Sequence, residues 1–564
     1  SVLTIAGGIV GGILFSKLGE LLAAKILGSN AGLSMKISVP ALVATALLFL
    51  VIFALIMLRM IVSVYRLKPV ELLKSEKTGE KPPKANWIFA VLGLLLLGVA
   101  YYLSLTIKDP LVAMIWFMVA DVLVILATYL LFIAGSVTFC KIMQKKKGYY
   151  YKTNHFISVS GMIYRMKQNA ASLSLICIMS TGVLLLISST TSLYVGQEHS
   201  LYMHYPKEFR ISLSLGTEPD DSAQFEKELK EIGTYAENYL KDNKIDVKNE
   251  ESQTVIDVAA LQKDGNVQIT SSRIYGSEDF ENLCMLQAVT LEDYNRETKK
   301  NETLKDGEAL VFLEDVPLQQ DTFSVNNMKW KVKHLPEDTR MGDTGLEFYA
   351  NPVYRIVVKD FAQLQELWKI NKEVYRENAS RVKYEYSFDV DLPEEKIQKL
   401  TSSLHAYFGE QKDAPHAFVY GIENRTEGRA EFYSLYGGLF FLGIFLGLLF
   451  VMATVLIIYY KQISEGYEDK ERFAILKKIG MERGEINASI HSQVLMVFFL
   501  PLVLAGIHSC FAFHLVKEIL VGGFGLWDVK LLVLSAVLTF LAFAVFYVIV
   551  YLLTAREYYK IVSE

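Results

Sequence analysis

The residues whose types and spacing could do chemistry are few and scattered. Asp121 is the one acidic residue deep inside an otherwise clean apolar run, 111–139. An ionised carboxylate in hydrocarbon is costly, so such a residue marks a functional site more often than average. Protonation, or a hydrogen bond to a neighbouring helix, is the structural alternative. His508 and His514 share a second apolar run but lie six positions apart, which is not one helical face. Packing or interfacial placement fits them better than a metal site. The carboxylate pairs Asp220-Asp221 and Glu394-Glu395 precede helical patterns, where the helix N-terminus accounts for them without catalysis. The cysteines Cys140, Cys177, Cys284 and Cys510 include no CxxC pair, so a structural zinc site is not indicated. No GxxxxGK[ST], HExxH or GxSxG motif is present. The chain thus reads as holding no catalytic site, no ATP-binding loop, no metal and no cofactor of its own.

The elements that must position these residues are membrane helices. Of the 564 residues 52% are hydrophobic, and they are bunched into long runs. Eight runs approach or exceed the roughly 20 residues that span a bilayer as helix. They lie near 2–27, 39–64, 86–105, 111–139, 167–193, 433–460, 489–516 and 529–554. The first carries Gly7, Gly8, Gly11 and Gly12 and the sixth Gly443 and Gly447, spacings that let helices approach closely.

Charge is segregated along the chain. Tyr194–Phe432 holds 45 acidic and 29 basic residues, and the remainder 16 acidic and 28 basic. The loops 65–85, 140–168 and 461–485 carry six, seven and six Lys or Arg, whereas 28–38 and 106–110 carry one each and 517–530 two. Rich and poor loops alternate across eight spans without conflict, so the rich ones are placed in the cytoplasm and 194–432 outside. With only Cys284 inside it, that block cannot hold an internal disulfide. It alternates strand and helix patterns: strand EFRISLSL, helix Ser222–Asn243, a hairpin about Asp264-Gly265, strand VYRIVVKD, helix Phe361–Val374, strand YEYSFDVDL and helix Pro393–Phe408. An α/β domain of about 240 residues is expected there, with room for two lobes.

Three segments on the cytoplasmic side have amphipathic character. LKPVELLK at 67–74 begins with Pro in a first-turn position. SEGYEDKERFAILKKIGMER at 464–483 leads with acidic and ends with basic residues, suiting a helix dipole. Docking of a partner chain is favoured for both over the alternative of solvated loop helices. ISVSGMIYRMKQNA at 157–170 reads as an interfacial elbow helix that turns into the fifth span.

The helix pairs 1–74 and 489–563 echo one another, each two spans with a short outer loop and a charged cytoplasmic end. In the second copy the pair is preceded by an elbow helix, a span, the outer domain, another span and the KKIGM segment. The first copy lacks these, which implies a longer protein of ten spans. The layout, with MIYRMKQNA, YYKQISEGYEDKERFAILKKIGM and HSCFAFH, resembles the FtsX-like permease family, and within it the BceB-type permeases of ABC transporters that protect against bacitracin and other antimicrobial peptides.

The resemblance implies a polytopic α-helical membrane protein, eight spans here and ten in the full protein, with a large α/β extracellular domain. Its parts are a helix pair over 1–66 ending the first repeat, a cytoplasmic segment 67–85, linking helices 86–139, a cytoplasmic loop and elbow helix 140–166 and a span 167–193. The extracellular domain 194–432, a span 433–460, a coupling segment 461–485 and a last helix pair 486–564 with a cytoplasmic C-terminus complete it. It implies a transport subunit without enzymatic activity, driven by a homodimeric ABC ATPase on a separate chain that holds ATP and Mg. Tyr467, Glu468, Arg472, Phe473, Leu476, Lys477 and Gly480 become ATPase-coupling residues, with Pro69, Glu71 and Leu72 as a second contact and Asp121 as an intramembrane polar residue. The implied cargo is a peptide antibiotic or its complex with a lipid-linked cell-wall precursor, and a membrane histidine kinase is a further implied partner. No nucleic acid is. The alternatives are a mechanical signal transmitter that controls an extracellular partner, and an ABC exporter of lipids or other peptides.

Overall fold

The computed structural model describes all residues except 1, 28–37, 67–85, 151–152, 271–281, 315, 340–351, 411–415, 479–482, 527 and 564. Eight helices among the described residues are long and apolar enough to cross a membrane. In order they are α1 (Val2–Ile26), α2 (Val39–Arg66), α3 (Trp87–Thr106) and α4 (Pro110–Lys145), the last with a π-turn at Leu131–Gly135. After a single turn at Lys147–Tyr150 comes α5 (Thr153–His204). The helices α6 to α9 belong to the sheet domain, and α10 (Arg425–Lys478), α11 (Arg483–Glu518) and α12 (Val529–Ser563) return to the bundle. Asp109 starts α4 by accepting the backbone N–H groups of Leu111 and Val112, with Pro110 in the first turn.

Two of these helices outrun any bilayer. At ~1.5 Å per residue the 52 residues of α5 and the 54 of α10 extend about 78 and 81 Å, against a hydrocarbon core of about 30 Å. The fifth span therefore has no separate elbow. Met162, Ile163 and Met166 are buried in the bundle core with Phe132, Val137 and Cys140 of α4. Nor does the segment after the sixth span start a helix of its own, so its leading acidic residues face no helix N-terminus. Nothing between Lys461 and Lys478 breaks the helix. Its one glycine, Gly466, lies where an added Cβ would be 3.4 Å from Tyr558 and 3.5 Å from Ile561 of α12.

The sheet domain lies between α5 and α10. Its helices are α6 (Ser222–Asp242), α7 (Leu291–Thr298), α8 (Phe361–Tyr375) and α9 (Glu394–Glu410). Asp221 caps α6 by accepting from Gln224 N–H at 2.8 Å, and Glu394 and Glu395 fill the first turn of α9. The eleven strands are β1 (Phe209–Leu215), β2 (Val247–Lys263), β3 (Asn266–Gln268), β4 (Leu283–Thr290), β5 (Glu308–Leu313), β6 (Val316–Pro317), β7 (Thr322–Val325), β8 (Met328–Val332), β9 (Val353–Val358), β10 (Lys383–Val390) and β11 (Phe418–Asn424). The 17-residue β2 is shared by two lobes. Its first half extends the antiparallel sheet β11-β1-β10-β2. From Val255 onward it closes a mixed ring β2-β3-β7-β8-β5-β9-β4 back on itself. The β2–β3 hairpin turns at Asp264-Gly265, both with positive φ, as a two-residue hairpin turn requires.

One core runs through both lobes. Phe209, Ile211, Tyr384 and Phe388 of the first and Ile256, Leu286 and Ile356 of the second bury against Phe225, Leu229 and Ile232 of α6 and Leu364, Leu367 and Trp368 of α8. The opposite side of the first lobe is polar, with Arg210, Glu385 and Ser387 alternating with the core positions.

Candidate functional site: the coupling helix and its clamps

The distal stretch of α10 has two distinct faces. Gln462, Glu465 and Asp469, spaced three and four apart, are buried at 7%, 6% and 4% exposure. Asn169 of α5 donates to Glu465 Oε1, and the Tyr558 hydroxyl of α12 donates to Asp469 Oδ2 at 2.6 Å. Three helices are thereby held together by polar contacts at the bundle end opposite the sheet domain. Tyr467 and Glu468 lie on the other face, Tyr467 at 64% exposure. They form an outward surface on a helix whose inner face is fixed. Arg472, Phe473, Leu476 and Lys477 continue along the same helix, although their side chains lie outside what the structure describes. Gly480, Pro69, Glu71 and Leu72 fall outside the described residues altogether.

Along the bilayer α5 and α10 pack at small residues. A Cβ on Gly443 would collide with Thr190, and one on Gly447 would sit 2.9 Å from Ile187. Gly182 of α5 gives the reciprocal approach, 3.0 Å from Phe450 of α10. Such positions admit close backbone contact that any larger side chain would block. The glycines of α1 differ. Gly7, Gly8, Gly11 and Gly12 meet no side chain within 4 Å among the described residues.

Where the pair meets the sheet domain it is clamped again. Arg425, the first residue of α10, donates from Nε to the Tyr205 carbonyl at 2.8 Å and also to the Pro206 carbonyl, while its guanidinium lies over the Tyr202 ring. Glu208 accepts from the Thr426 hydroxyl at 2.6 Å, and its own N–H donates to Asp389 of β10 at 2.9 Å. One turn further, Glu198 of α5 takes Arg429 at 3.3 Å and the Tyr433 hydroxyl at 2.9 Å. The two helices and the first sheet lobe thus share a charged joint. Sequence reasoning missed both clamps, since their partners lie from 89 to 296 positions apart.

Asp121 is not alone at its depth. It lines a cavity of about 40 Å³ with Tyr101, Ser104, Thr181 and His508. The Tyr101 hydroxyl is 2.6 Å from His508 Nδ1, and Thr128 Oγ1 is 3.0 Å from Nε2. A neutral imidazole has one donor and one acceptor nitrogen, so the two hydroxyls take opposite roles. Ser104 donates to the Phe511 carbonyl at 2.6 Å, and the Tyr101 ring stacks on Phe511. His508 is thus the centre of a polar knot joining α3, α4 and α11. Among the described residues no cluster of three His, Cys, Asp or Glu side chains could hold a metal.

Two helices, α5 and α10, leave the helical bundle to carry the mixed α/β domain between them. Residues 440–562, from the middle of α10 to the end of α12, match the family described as FtsX-like permease C-terminal, and an FtsX-like permease domain is present there. The likeness to ABC transporter permeases extends over most of the chain. An uncharacterised ABC transporter permease of Bacillus subtilis, YvcS, is 24% identical over 581 residues, covering 100% of this chain and 82% of its own length. The bacitracin export permease protein BceB of Halalkalibacterium halodurans is 25% identical over 535 residues, covering 90% of this chain and 75% of its own. BceB of Bacillus subtilis is 24% identical, with 90% and 75% covered. The chain thus carries an FtsX-like permease domain at 440–562 and is similar over most of its length to ABC transporter permeases.

Proposed function

We propose that this permease couples ATP hydrolysis on a separate, homodimeric ABC ATPase to removal or sensing of antimicrobial peptides that act on lipid-linked cell-wall precursors. The observation that carries the reading is the unbroken α10, which runs from the joint at Arg425 to Lys478 and is fixed to α5 at both ends and in the middle. A force applied at one end of such a pair is delivered at the other, because packed helices shift as units rather than deform continuously. The ATPase docks at this end of α10, on the exposed Tyr467 and Glu468 and on Arg472, Phe473, Leu476, Lys477 and Gly480 further along the segment, with Pro69, Glu71 and Leu72 as a second contact. This end is cytoplasmic and the sheet domain extracellular, in keeping with the charge segregation. The peptide class is supported by the bacitracin export relatives, and a membrane histidine kinase completes the proposed assembly.

Reconstitution of the chain with its ATPase tests this. Bacitracin should stimulate ATP hydrolysis, and Glu468→Lys should abolish the stimulation while leaving the melting temperature of the permease within about 2 °C, as expected for an exposed position. Hydrolysis unchanged across bacitracin-like and lantibiotic-like peptides would remove the peptide assignment. The same rod would equally serve a signal transmitter acting on an extracellular partner. Capture of a wall hydrolase with no ATPase response to peptide would favour that second reading.

A further inference from the structure

Along the free edge of β2 in the first sheet lobe, beside the joint with α5, lies a cleft of about 500 Å³. Its walls come from α6, the first half of β2, α7 and β10, with Lys207 at the joint. Among the described residues β2 has no strand partner on the side away from β10 until Val255. There α7 stands in for a strand, with Asp293 accepting the Thr254 N–H at 2.9 Å and Arg296 donating to the Ser252 carbonyl at 2.6 Å.

The charges lining this cleft are almost all matched. Lys207 pairs with Glu251 at 2.7 Å, Lys241 with Glu237 at 3.7 Å and Arg296 with Asp293. Glu250 accepts from the Tyr386 hydroxyl at 2.7 Å. Lys299 is exposed to solvent, where a free ammonium is at no disadvantage. Glu297 is different, because it is partly buried and has neither a hydrogen bond nor an ion pair among the described residues. Burial, then Glu251 and Asp293, push its carboxyl up to about 7, and Arg355 of β9 and Lys207 offset this only in part. An uncompensated carboxylate in a cleft is stabilised by an incoming cation that brings its own N–H donors. No cluster of three metal-ligating side chains surrounds it among the described residues, and the cleft is far larger than one ion needs. A lysine, ornithine or arginine side chain fits both the charge and the space, and the unpaired edge of β2 offers main-chain groups to its flanking backbone.

We propose that this cleft binds a cationic side chain of a peptide, a primary ammonium or guanidinium, with Glu297 as its counter-ion. The site would supply the peptide contact in the permease cycle proposed above, but it binds without nucleotide and so holds or fails independently of that cycle. The test titrates the full chain in nanodiscs, free of nucleotide, with hexalysine and with its fully Nε-acetylated counterpart at pH 8. Glu297→Gln should weaken hexalysine binding at least ~10-fold, and the acetylated peptide should bind wild type and variant equally weakly. Wild-type affinity should fall as pH drops from 8 to 5.5, because Glu297 gains its proton there, and the variant should be flat over the same range. Asp391→Asn, which removes an exposed carboxylate elsewhere on the domain, should change nothing. Equal hexalysine binding by wild type and Glu297→Gln overturns the site. Equal losses in Glu297→Gln and Asp391→Asn overturn it in favour of general acidity.

Discussion

At the scale of single residues, what matters is which polar groups are compensated. Glu297 keeps its proton in the folded chain up to about 7, against an ordinary value of 4.5. Between these values the native state binds more protons than the unfolded one, so stability falls as pH rises and is lowest above pH 7. Glu297→Gln should therefore raise the melting temperature at pH 8, by a stabilisation on the order of 2 kcal/mol, and change it little at pH 5. Differential scanning fluorimetry at the two pH values checks this, and an equal shift at both would show that ionisation is not the cause. A group that destabilises the empty protein is what a binding site leaves behind. Lys383 shows the opposite case. Burial disfavours its ammonium, but Asp257 at 2.8 Å and Glu385 at 2.6 Å together outweigh that, and its pKa ends above the usual value. The buried ladder Gln462, Glu465 and Asp469 was open to reading as a polar stripe at helical spacing. Its acidic-before-basic order suggested a helix start instead, because nothing local names Asn169 and Tyr558 as partners.

At the scale of elements, the paired helices α5 and α10 decide the behaviour of the molecule. Gly443→Leu should force them apart, since even a Cβ there meets Thr190, and should destabilise the protein by about 1–3 kcal/mol. Gly438→Leu, where an added Cβ meets nothing within 4 Å, should leave thermal stability in detergent unchanged. Equal melting temperatures for the two variants would mean that close packing of the pair is not what holds it. The apolar runs made all eight spans legible, as did the strand and helix patterns of β1, α6, β9, α8, β10 and α9. Hydropathy could not show that α5 and α10 continue as helix beyond the lipid, because a polar helix and a polar loop have the same mean hydropathy. The ring of the second lobe was hidden for another reason. Strands such as β7 and β8 have only four or five residues, and the β2–β4 pairing that closes the ring joins residues 22 to 34 positions apart, Leu261 with Leu283 through Val255 with Val289.

At the scale of the whole molecule, charge and helix length together bear on direction. The block Tyr194–Phe432 carries a net balance of −16 and the rest of the chain +12. Basic loops are retained on the cytoplasmic side, and an acidic domain outside the cell raises the local concentration of cations near it. The proposed orientation thus places the Glu297 cleft where a cationic peptide arrives, and the Tyr467–Glu468 face where ATP is made available to a partner. The rod of α5 and α10 is the only pair of elements among the described residues that reaches from one to the other. Cysteine labelling in intact cells tests the orientation on which this depends. With Cys510 replaced by Ser, Asp391→Cys should react with a membrane-impermeant maleimide in whole cells, and Glu468→Cys only after permeabilisation, both side chains being exposed. The reverse pattern would put the sheet domain inside the cell. The cleft could then still bind cations, but it could not meet a peptide before that peptide had crossed the membrane, and the direction of coupling along the rod would have to be inverted.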